Sequence, residues 1–265
     1  MSITIADLQK KKETGVKISM ITTYDATFAR LVEAAGIDMI LIGDSLGNVM
    51  QGRGSTLAVT VDDIIYHAQC VLRGCSTPFV VADMPFGSYQ TNDDDGVRAG
   101  IRIMKESGAH GVKLEGGARC VNLVKRLVDA GVPVMGHLGL TPQSVHTMSG
   151  YRVQGKGSEA AETIYNDALA LEKAGAFSLV LECVPRDLAA RIQNDLSIPV
   201  IGIGAGPDCA GQVLVLQDCL GMSTAKAPKF VRKFADLAPV ITDALKAYDT
   251  AVKSSTFPDD TESYH

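Results

Sequence analysis

The chain has 265 residues, of which 46% are hydrophobic, and its formal net charge at pH 7 is −5. This composition provides a buried core and excludes a disordered chain. The weak negative charge, with Lys and Arg scattered along the sequence, argues against nucleic-acid and membrane-surface partners. The six cysteines form no C-x-x-C pair, as is typical of reduced thiols. No signal peptide or membrane-spanning run is recognisable, so we expect a cytoplasmic protein.

Short apolar runs alternate with longer segments of helical periodicity along the chain. After a helical segment at 1–15, seven runs have the nearly continuous apolar content of parallel strands that are buried on both faces. These runs are Ile18–Tyr24, Asp38–Ser45, Phe79–Pro85, Gly111–Gly116, Pro133–Leu138, Ser178–Val184 and Ile198–Gly204. An eighth, weaker strand is predicted near Gly221–Lys226, and a clear helical stripe follows it from Leu237 to Tyr248.

This alternation predicts parallel strands joined by right-handed crossovers. A closed barrel and an open doubly wound sheet both satisfy the pattern. Eight units in a chain near the roughly 250 residues typical of a TIM barrel favour a single-domain (β/α)₈ TIM barrel over residues 1–265. The long connection Leu46–Thr60 is placed to cover a site, and the tail 254–265 is expected to be mobile.

Five consecutive predicted strands end in ionisable side chains, and in such barrels the active site lies at these strand ends. Lys113 and Glu115 are two positions apart, so both point to the same side of the sheet. If that side is the barrel interior, the strand ends converge on one pocket. The residues concerned are Asp44, Asp83, Lys113, Glu115, His137 and Glu182.

Four carboxylates in one pocket repel one another unless some are protonated or a cation neutralises them. Carboxylate oxygens with few thiolates or imidazoles favour Mg²⁺ or a similar ion that keeps several waters. A substrate with adjacent oxygens would displace two of those waters and be polarised by the ion.

Each residue also has a purely structural interpretation. Asp83 could serve only as a cap for the segment that follows it. Lys113 could be one partner in a structural ion pair, and His137 could be a packed histidine that is hydrogen-bonded to backbone. The glycine-rich segment Ile201–Gly206 fits a tight strand exit about as well as an anion-binding turn. Cys183 alternates with Glu182 and is expected in the core. It is the five strand ends together that favour a site.

Seven segments, in order and in register from about Ile18 to about Phe234, resemble ketopantoate hydroxymethyltransferases. They are Leu41–Gly47, Asp83–Phe86, Val112–Gly117, Gly136–Gln143, Gly150–Gly155, Leu181–Pro185 and Ile201–Gly206. The resemblance implies transfer of a hydroxymethyl group from 5,10-methylenetetrahydrofolate to 3-methyl-2-oxobutanoate, giving 2-dehydropantoate in the first step of pantothenate synthesis. It also implies a cytoplasmic homo-oligomer. Gly54 and Ala58 depart from the family, in which an acid and a proline are expected.

The resemblance assigns the carboxylates as well. Asp44, Asp83 and Glu115 would hold one Mg²⁺ in each subunit, and Glu182 would be the proton acceptor. The oxo acid would chelate the ion through its carboxylate and keto oxygens, which makes the neighbouring C–H more acidic and stabilises the enolate. Glu182, in a partly desolvated wall, would be a stronger base than a free carboxylate.

Three polar side chains would contact the oxo acid by the same resemblance: Ser45, Asp83 and Lys113. Lys113 would supply positive charge to the developing oxyanion or the carboxylate, and His137 is expected to donate a hydrogen bond there. The enolate would then attack the methylene carbon carried by the folate, and hydrolysis would release the product.

Three other functions fit the same residues. A Schiff-base aldolase with Lys113 as nucleophile predicts borohydride trapping of substrate and activity in EDTA. A different metal-dependent lyase or mutase of 2-oxo acids would share the carboxylates. A barrel retained as an assembly or metal-binding component predicts no C–H exchange on any small oxo acid, since this fold hosts many functions.

Overall fold

The computed structural model describes residues 2–223 and 227–265. The chain divides into two compact units, Met1–Val215 and Leu216–His265. The first unit holds a closed barrel of eight parallel strands with surrounding helices, which confirms the predicted (β/α)₈ TIM barrel. The extent of a single domain over 1–265 and the mobility of the tail stay predictions.

The strands follow one another around the barrel in chain order, and the eighth pairs with the first to close it. The first seven overlap the seven predicted apolar runs. The strands are β1 Ile18–Thr22, β2 Met39–Ile42, β3 Phe79–Asp83, β4 Gly111–Glu115, β5 Val134–Gly139, β6 Ser178–Glu182, β7 Val200–Ile203 and β8 Gly211–Leu214.

The helices of the described residues begin with one in the N-terminal segment and then alternate with most strands. None of them is long and apolar enough to cross a membrane. They are α1 Ile5–Glu13, α2 Ala26–Ala34, α3 Leu46–Val49, α4 Val61–Leu72, α5 Asp93–Ser107, α6 Val121–Asp129, α7 Ser158–Lys173, α8 Arg186–Asp195, α9 Leu216–Cys219 and α10 Leu237–Lys253, with 3₁₀ turns at Ala118–Cys120, Pro142–Ser144 and Asp260–Glu262.

The predicted position of the eighth strand, Gly221–Lys226, is wrong. The strand that closes the barrel is Gly211–Leu214, and residues 221–223 lie outside any strand, while 224–226 are not among the described residues. Two features conceal β8 in the sequence. Its connection from β7 has no helix, and the exposed Gln212 interrupts its apolar residues.

Alternate residues of the strands point into the barrel and form its core, which α1 extends at the N-terminal ends of the strands. Leu8 of α1 is fully buried in the same cluster as Met20, Val81 and Met135. The side chain of Lys12 ties the end of α1 to carbonyl oxygens at and after the end of α8, those of Gln193, Leu196 and Ile198. The core cluster below the strand ends is therefore apolar, and the ionisable side chains of β3, β4 and β5 lie towards the C-terminal ends of these strands.

The second unit contains the short helix α9 and the long helix α10, and the predicted helical stripe falls in α10. The backbone N–H of Leu237, where α10 begins, donates to the carbonyl of Leu220 at 3.0 Å. No residue of α10 is buried. Its apolar side chains are exposed, with 61% for Val240, 63% for Leu245 and 58% for Tyr248.

Candidate active site

The strand-end residues do converge at the C-terminal mouth of the barrel. Asp83 and Lys113 are paired in the register of β3 and β4, and Glu115 and His137 are paired in that of β4 and β5. Lys113 and Glu115 lie two residues apart on the same face of β4, so the two pairings place Asp83, Lys113, Glu115 and His137 next to one another at the strand ends. The exposed fractions are 4% for Asp44, 2% for Asp83, 4% for Lys113, 1% for Glu115 and 3% for His137.

Lys113 is central to this cluster. Its Nζ lies 3.0 Å from Oδ1 of Asp83 and 3.3 Å from Nδ1 of His137. The other carboxylate oxygen of Asp83 accepts a hydrogen bond from the backbone N–H of Asp44 at 2.9 Å, which joins the ends of β2 and β3. The predicted interior position of Lys113 and its neighbours is thus observed.

His137 lies between two carboxylates. Its Nδ1 is 3.4 Å from Oε1 of Glu115 and its Nε2 is 3.3 Å from Oε2 of Glu182. The Glu182 side chain is 15% exposed, so it reaches from the buried cluster towards the open mouth. Ser45, just after Asp44, is half-buried, and its Oγ is 2.7 Å from the hydroxyl of the buried Tyr24. The structure thus brings Asp83, Lys113, Glu115, His137 and Glu182 into one cluster with Asp44, and Ser45 follows Asp44 at its edge.

Burial and like charge oppose full ionisation of the carboxylates. Burial, together with Asp83 and Glu115 nearby, raises the pKa of Asp44 to about 8. Burial also raises the pKa of Asp83, although Lys113 opposes the change. For Glu115, bonding to His137 and the nearby Lys113 outweigh burial and lower the pKa. Burial and mutual repulsion thus favour the neutral form of Asp44 and Asp83 as long as no further cation is present.

Burial acts on the pKa values of the two basic groups in the opposite direction, because it lowers them, whereas the neighbouring carboxylates raise them. Burial alone would lower the pKa of Lys113, but the carboxylates of Asp83, Glu115 and Asp44 raise it above its usual value. Burial and Lys113 lower the pKa of His137, yet its contacts with Glu115 and Glu182 raise it to about 9. The surrounding carboxylates thus favour the charged forms of Lys113 and His137, and the site contains two basic groups and four acids.

The donor set suits a divalent cation of the magnesium type. Among the described residues, the buried Oδ1 of Asp83 meets only Lys113, at 3.0 Å, and the buried Oε1 of Glu115 meets only His137, at 3.4 Å, so each oxygen can accept a further ligand. With all four acids and both bases ionised the site would carry a net charge of −2, which one divalent cation would neutralise. In the described chain no three His, Cys, Asp or Glu side chains are arranged to hold an ion by themselves. Mg²⁺ usually takes only one or two carboxylates together with retained waters and substrate oxygens, so an ion of this type does not require three direct protein ligands.

Two buried residues, Gln143 and Tyr89, belong to the cluster although the sequence assigned them no role. Gln143 lies in the 3₁₀ turn after β5, and Tyr89 lies in the loop after β3. Gln143 closes the segment Gly136–Gln143 that carries the family resemblance, so a signal was present for it. Tyr89 stands in a polar loop without a recognisable pattern, and only the fold brings it to Glu115.

Two smaller expectations concern the edges of the site. Cys183 is half-buried instead of being in the core, because its backbone turns into the left-handed region at φ 49° and ends the alternation of β6. Such strain in a non-glycine residue is common beside functional groups. Gly54 and Ala58 are exposed, and a Cβ at Gly54 would meet nothing within 4 Å. Both departures therefore lie on the exposed surface, whereas the acids of the site are buried.

A cavity of about 690 Å³ lies beside the mouth, bounded by the loops after β4 and β5 and by the first half of α7. Gly116 and Leu138, which directly follow Glu115 and His137, line it, and Thr163 and Asp167 line it from α7. Its volume is in the range of small-molecule sites. Asp167 accepts a hydrogen bond from the backbone N–H of Ala118 at 2.9 Å, which fixes the wall of the cavity.

The sequence is similar to that of one family almost from end to end. Residues 2–260 match the model of the ketopantoate hydroxymethyltransferase family. The curated 3-methyl-2-oxobutanoate hydroxymethyltransferase of Anaeromyxobacter dehalogenans is 53% identical over 99% of this chain and 87% of its own length. That of Syntrophomonas wolfei is 53% identical over 97% of this chain and 93% of its own length.

Solved structures are similar in fold at much lower identity. A 2,3-dimethylmalate lyase superimposes with a TM-score of 0.60 at 17% identity, covering 100% of this chain and 93% of its own. A phosphoenolpyruvate phosphomutase from Streptomyces platensis superimposes with a TM-score of 0.62 at 16% identity, covering 96% of this chain and 88% of its own. At these identities the likeness extends to the barrel fold alone.

Proposed function

The chain belongs to the ketopantoate hydroxymethyltransferase family, and from this premise we propose that it hydroxymethylates 3-methyl-2-oxobutanoate through an enolate formed at the barrel mouth. The donor of the one-carbon unit is 5,10-methylenetetrahydrofolate, and the product is 2-dehydropantoate, the first intermediate of pantothenate synthesis. The observation that carries the proposed mechanism is the buried cluster of acids around Lys113, within reach of the partly exposed Glu182.

Glu182 is the proposed base. Its carboxylate is the acidic group of the cluster that extends towards the open mouth, where the C–H next to the keto group of the oxo acid would lie. The contact of 3.3 Å with Nε2 of His137 restrains its orientation. A positioned carboxylate of this kind accelerates proton transfer by roughly 10²–10⁴.

Lys113, Ser45, Asp83 and His137 are the proposed contacts of the oxo acid. The ammonium of Lys113 stays charged beside Asp83 and offers a fixed positive charge to the substrate carboxylate or the enolate oxygen. The Ser45 hydroxyl is oriented by Tyr24. Because the groups are buried and mutually bonded before substrate binds, little reorganisation is needed when charge develops.

Asp44, Asp83 and Glu115 are proposed to hold one divalent cation per subunit, Mg²⁺ by ligand type, directly or through retained water. When bound, the ion would polarise the keto oxygen and increase the acidity of the neighbouring C–H. The support for this site is the raised pKa of Asp44 among the crowded acids, together with two buried carboxylate oxygens that meet no donor other than Lys113 and His137 among the described residues.

The cavity beside the mouth is proposed to receive the folate. It adjoins the residues that follow Glu115 and His137, so a methylene group carried into it would approach the enolate from the side of β4 and β5. Its wall combines apolar Leu138 with the polar Thr163 and Asp167, a mixture that suits a flat ring system bearing amide-like groups.

Two further proposals concern the protein as a whole. The exposed apolar face of α10 supports a homo-oligomer, since a monomer rarely leaves so many large apolar side chains in water. All six cysteines are free thiols, which supports a reducing, cytoplasmic location.

Proton exchange at C3 of 3-methyl-2-oxobutanoate in D₂O, followed by NMR, tests the mechanism. We expect exchange that needs Mg²⁺, stops in EDTA and proceeds without folate. Activity that persists in EDTA together with borohydride trapping of the oxo acid on Lys113 would support the Schiff-base alternative instead. Substrate profiling separates other metal-dependent lyases, and a complete lack of exchange would favour a non-catalytic role.

A further inference from the structure

Gln143 joins two carboxylates that the strand order keeps apart. Asp44 follows β2 and Glu115 ends β4, with β3 lying between these strands. The backbone N–H of Gln143 donates to Oε2 of Glu115 at 3.0 Å, and its side-chain Nε2 donates to Oδ2 of Asp44 at 3.0 Å. One residue, only 5% exposed, thus contacts two of the three acids proposed to hold the cation.

The orientation of the Gln143 amide is fixed from both ends. Its Nε2 also donates to the backbone carbonyl of Met84 at 3.0 Å, and a carbonyl can only accept. Its Oε1 accepts from the hydroxyl of Tyr89 at 2.7 Å and from Nε2 of the exposed Gln90 at 3.0 Å. A flipped amide would point its oxygen at a carboxylate and a carbonyl, so the observed orientation is the one that the network permits.

Tyr89 connects the same amide to the backbone of β4. Its hydroxyl accepts a hydrogen bond from the backbone N–H of Glu115 at 3.0 Å, and its own proton serves Oε1 of Gln143, the shorter of its two acceptor contacts. The side chain is 5% exposed. Tyr89 therefore fixes the position of the Gln143 amide relative to Glu115 at the end of β4.

We propose that Gln143, braced by Tyr89, is a positioning residue that sets the separation and orientation of the Asp44 and Glu115 carboxylates for the divalent cation. The inference rests on the proposed function. Two buried carboxylates repel each other, and a donor shared between them offsets that repulsion while it occupies one oxygen of each. The second oxygen of Glu115, Oε1, faces Nδ1 of His137 at 3.4 Å and remains open to a further ligand. Partners of metal ligands act in this way, and their loss typically weakens metal binding about 10–100-fold.

The test measures Mn²⁺ binding to the purified full-length protein by the loss of the free Mn²⁺ signal in electron paramagnetic resonance, without substrate. Gln143→Met keeps the length of the side chain and the backbone N–H but removes the amide. It is expected to raise the Kd for Mn²⁺ about 10–100-fold. The control, Gln69→Met, makes the same change where the amide donates only to the Glu106 carbonyl, at 2.7 Å, and should keep the wild-type Kd.

Tyr89→Phe is the second variant, because it retains the buried ring and removes only the hydroxyl. It is expected to raise the Kd for Mn²⁺ by less than Gln143→Met does. A purely structural role would lower the urea midpoint of both variants and leave their Mn²⁺ affinity at the wild-type value, and that result would overturn the inference. If Gln143→Met does not fold, an unchanged Kd for Mn²⁺ in Tyr89→Phe is sufficient to overturn the inference. Failure of the wild-type protein to bind Mn²⁺ would instead overturn the cation proposal, and this inference with it.

Discussion

The ammonium of Lys113 lies 3.0 Å from Oδ1 of Asp83, and the two side chains, 5% and 2% exposed, are almost completely removed from solvent. A buried ion pair of this kind is weak evidence for stability, because desolvation of both charges offsets much of their attraction. The role of this ion pair is to fix the position of the positive charge. It holds a permanent positive charge at the centre of the barrel mouth, in contact with one acid and beside three others.

Lys113→Met should destabilise the protein by about 3–5 kcal/mol, because it leaves Asp83 buried without its cation. The free energy of unfolding from urea titration is the measurement. The double variant Lys113→Met with Asp83→Asn should recover part of the loss, since both charges are then absent. A double variant no more stable than Lys113→Met would show that the two groups are not energetically coupled.

Glu182→Gln should slow C3 proton exchange on the oxo acid by roughly 10²–10⁴, since the amide keeps the shape but cannot accept the proton. Binding of the oxo acid and of Mn²⁺ should be largely retained. Exchange in D₂O gives the rate and calorimetry gives the binding. Wild-type exchange in this variant would remove Glu182 from the role of base.

Asp83→Ala should raise the concentration of Mg²⁺ needed for half-maximal exchange, because it removes one of the proposed carboxylate ligands. The measurement is a Mg²⁺ titration of the exchange rate at saturating oxo acid. Asp95→Ala, at an exposed acid in the first turn of α5, is the matched control and should leave the titration unchanged. Identical titrations for Asp83→Ala and the control would place Asp83 away from the ion.

Thr163→Phe should raise the KM for the folate and leave C3 exchange of the oxo acid intact, since the new ring fills the cavity beside the mouth and not the buried cluster. Asn166→Phe places the same ring on an exposed position of α7 outside the cavity and serves as the control. Steady-state kinetics with each substrate varied in turn separates the two effects. An unchanged folate KM in Thr163→Phe would place the folate elsewhere.

Leu245→Asp should weaken self-association, because Leu245 is 63% exposed on the apolar face of α10 and a charge there would be desolvated on assembly. Sedimentation velocity over a range of protein concentrations measures the change. Lys246→Asp, beside it on the polar side of α10, is the control. A wild-type protein that is monomeric at all concentrations would end the oligomer proposal.

The sequence by itself determined the barrel and the acids at its mouth. Parallel strands buried on both faces leave nearly continuous apolar runs, so seven strands could be read directly. Strand alternation then placed Lys113 and Glu115 on one side. The eighth strand was misplaced because β8 is short, contains the exposed Gln212 and follows β7 without a helix. Periodicity carries no signal in such a strand, which is identified by its pairing with β7 and β1 in the closed barrel.

The tertiary structure alone decided how the charged groups are shared. The register between neighbouring strands decides which oxygen of Asp83 faces Lys113. It also places His137 between Glu115 and Glu182. Gln143 reaches its two carboxylates from a turn far along the chain. Sequence patterns report the side of a strand to which a residue points, whereas hydrogen bonds depend on distances of a few tenths of an ångström that only the packed barrel sets.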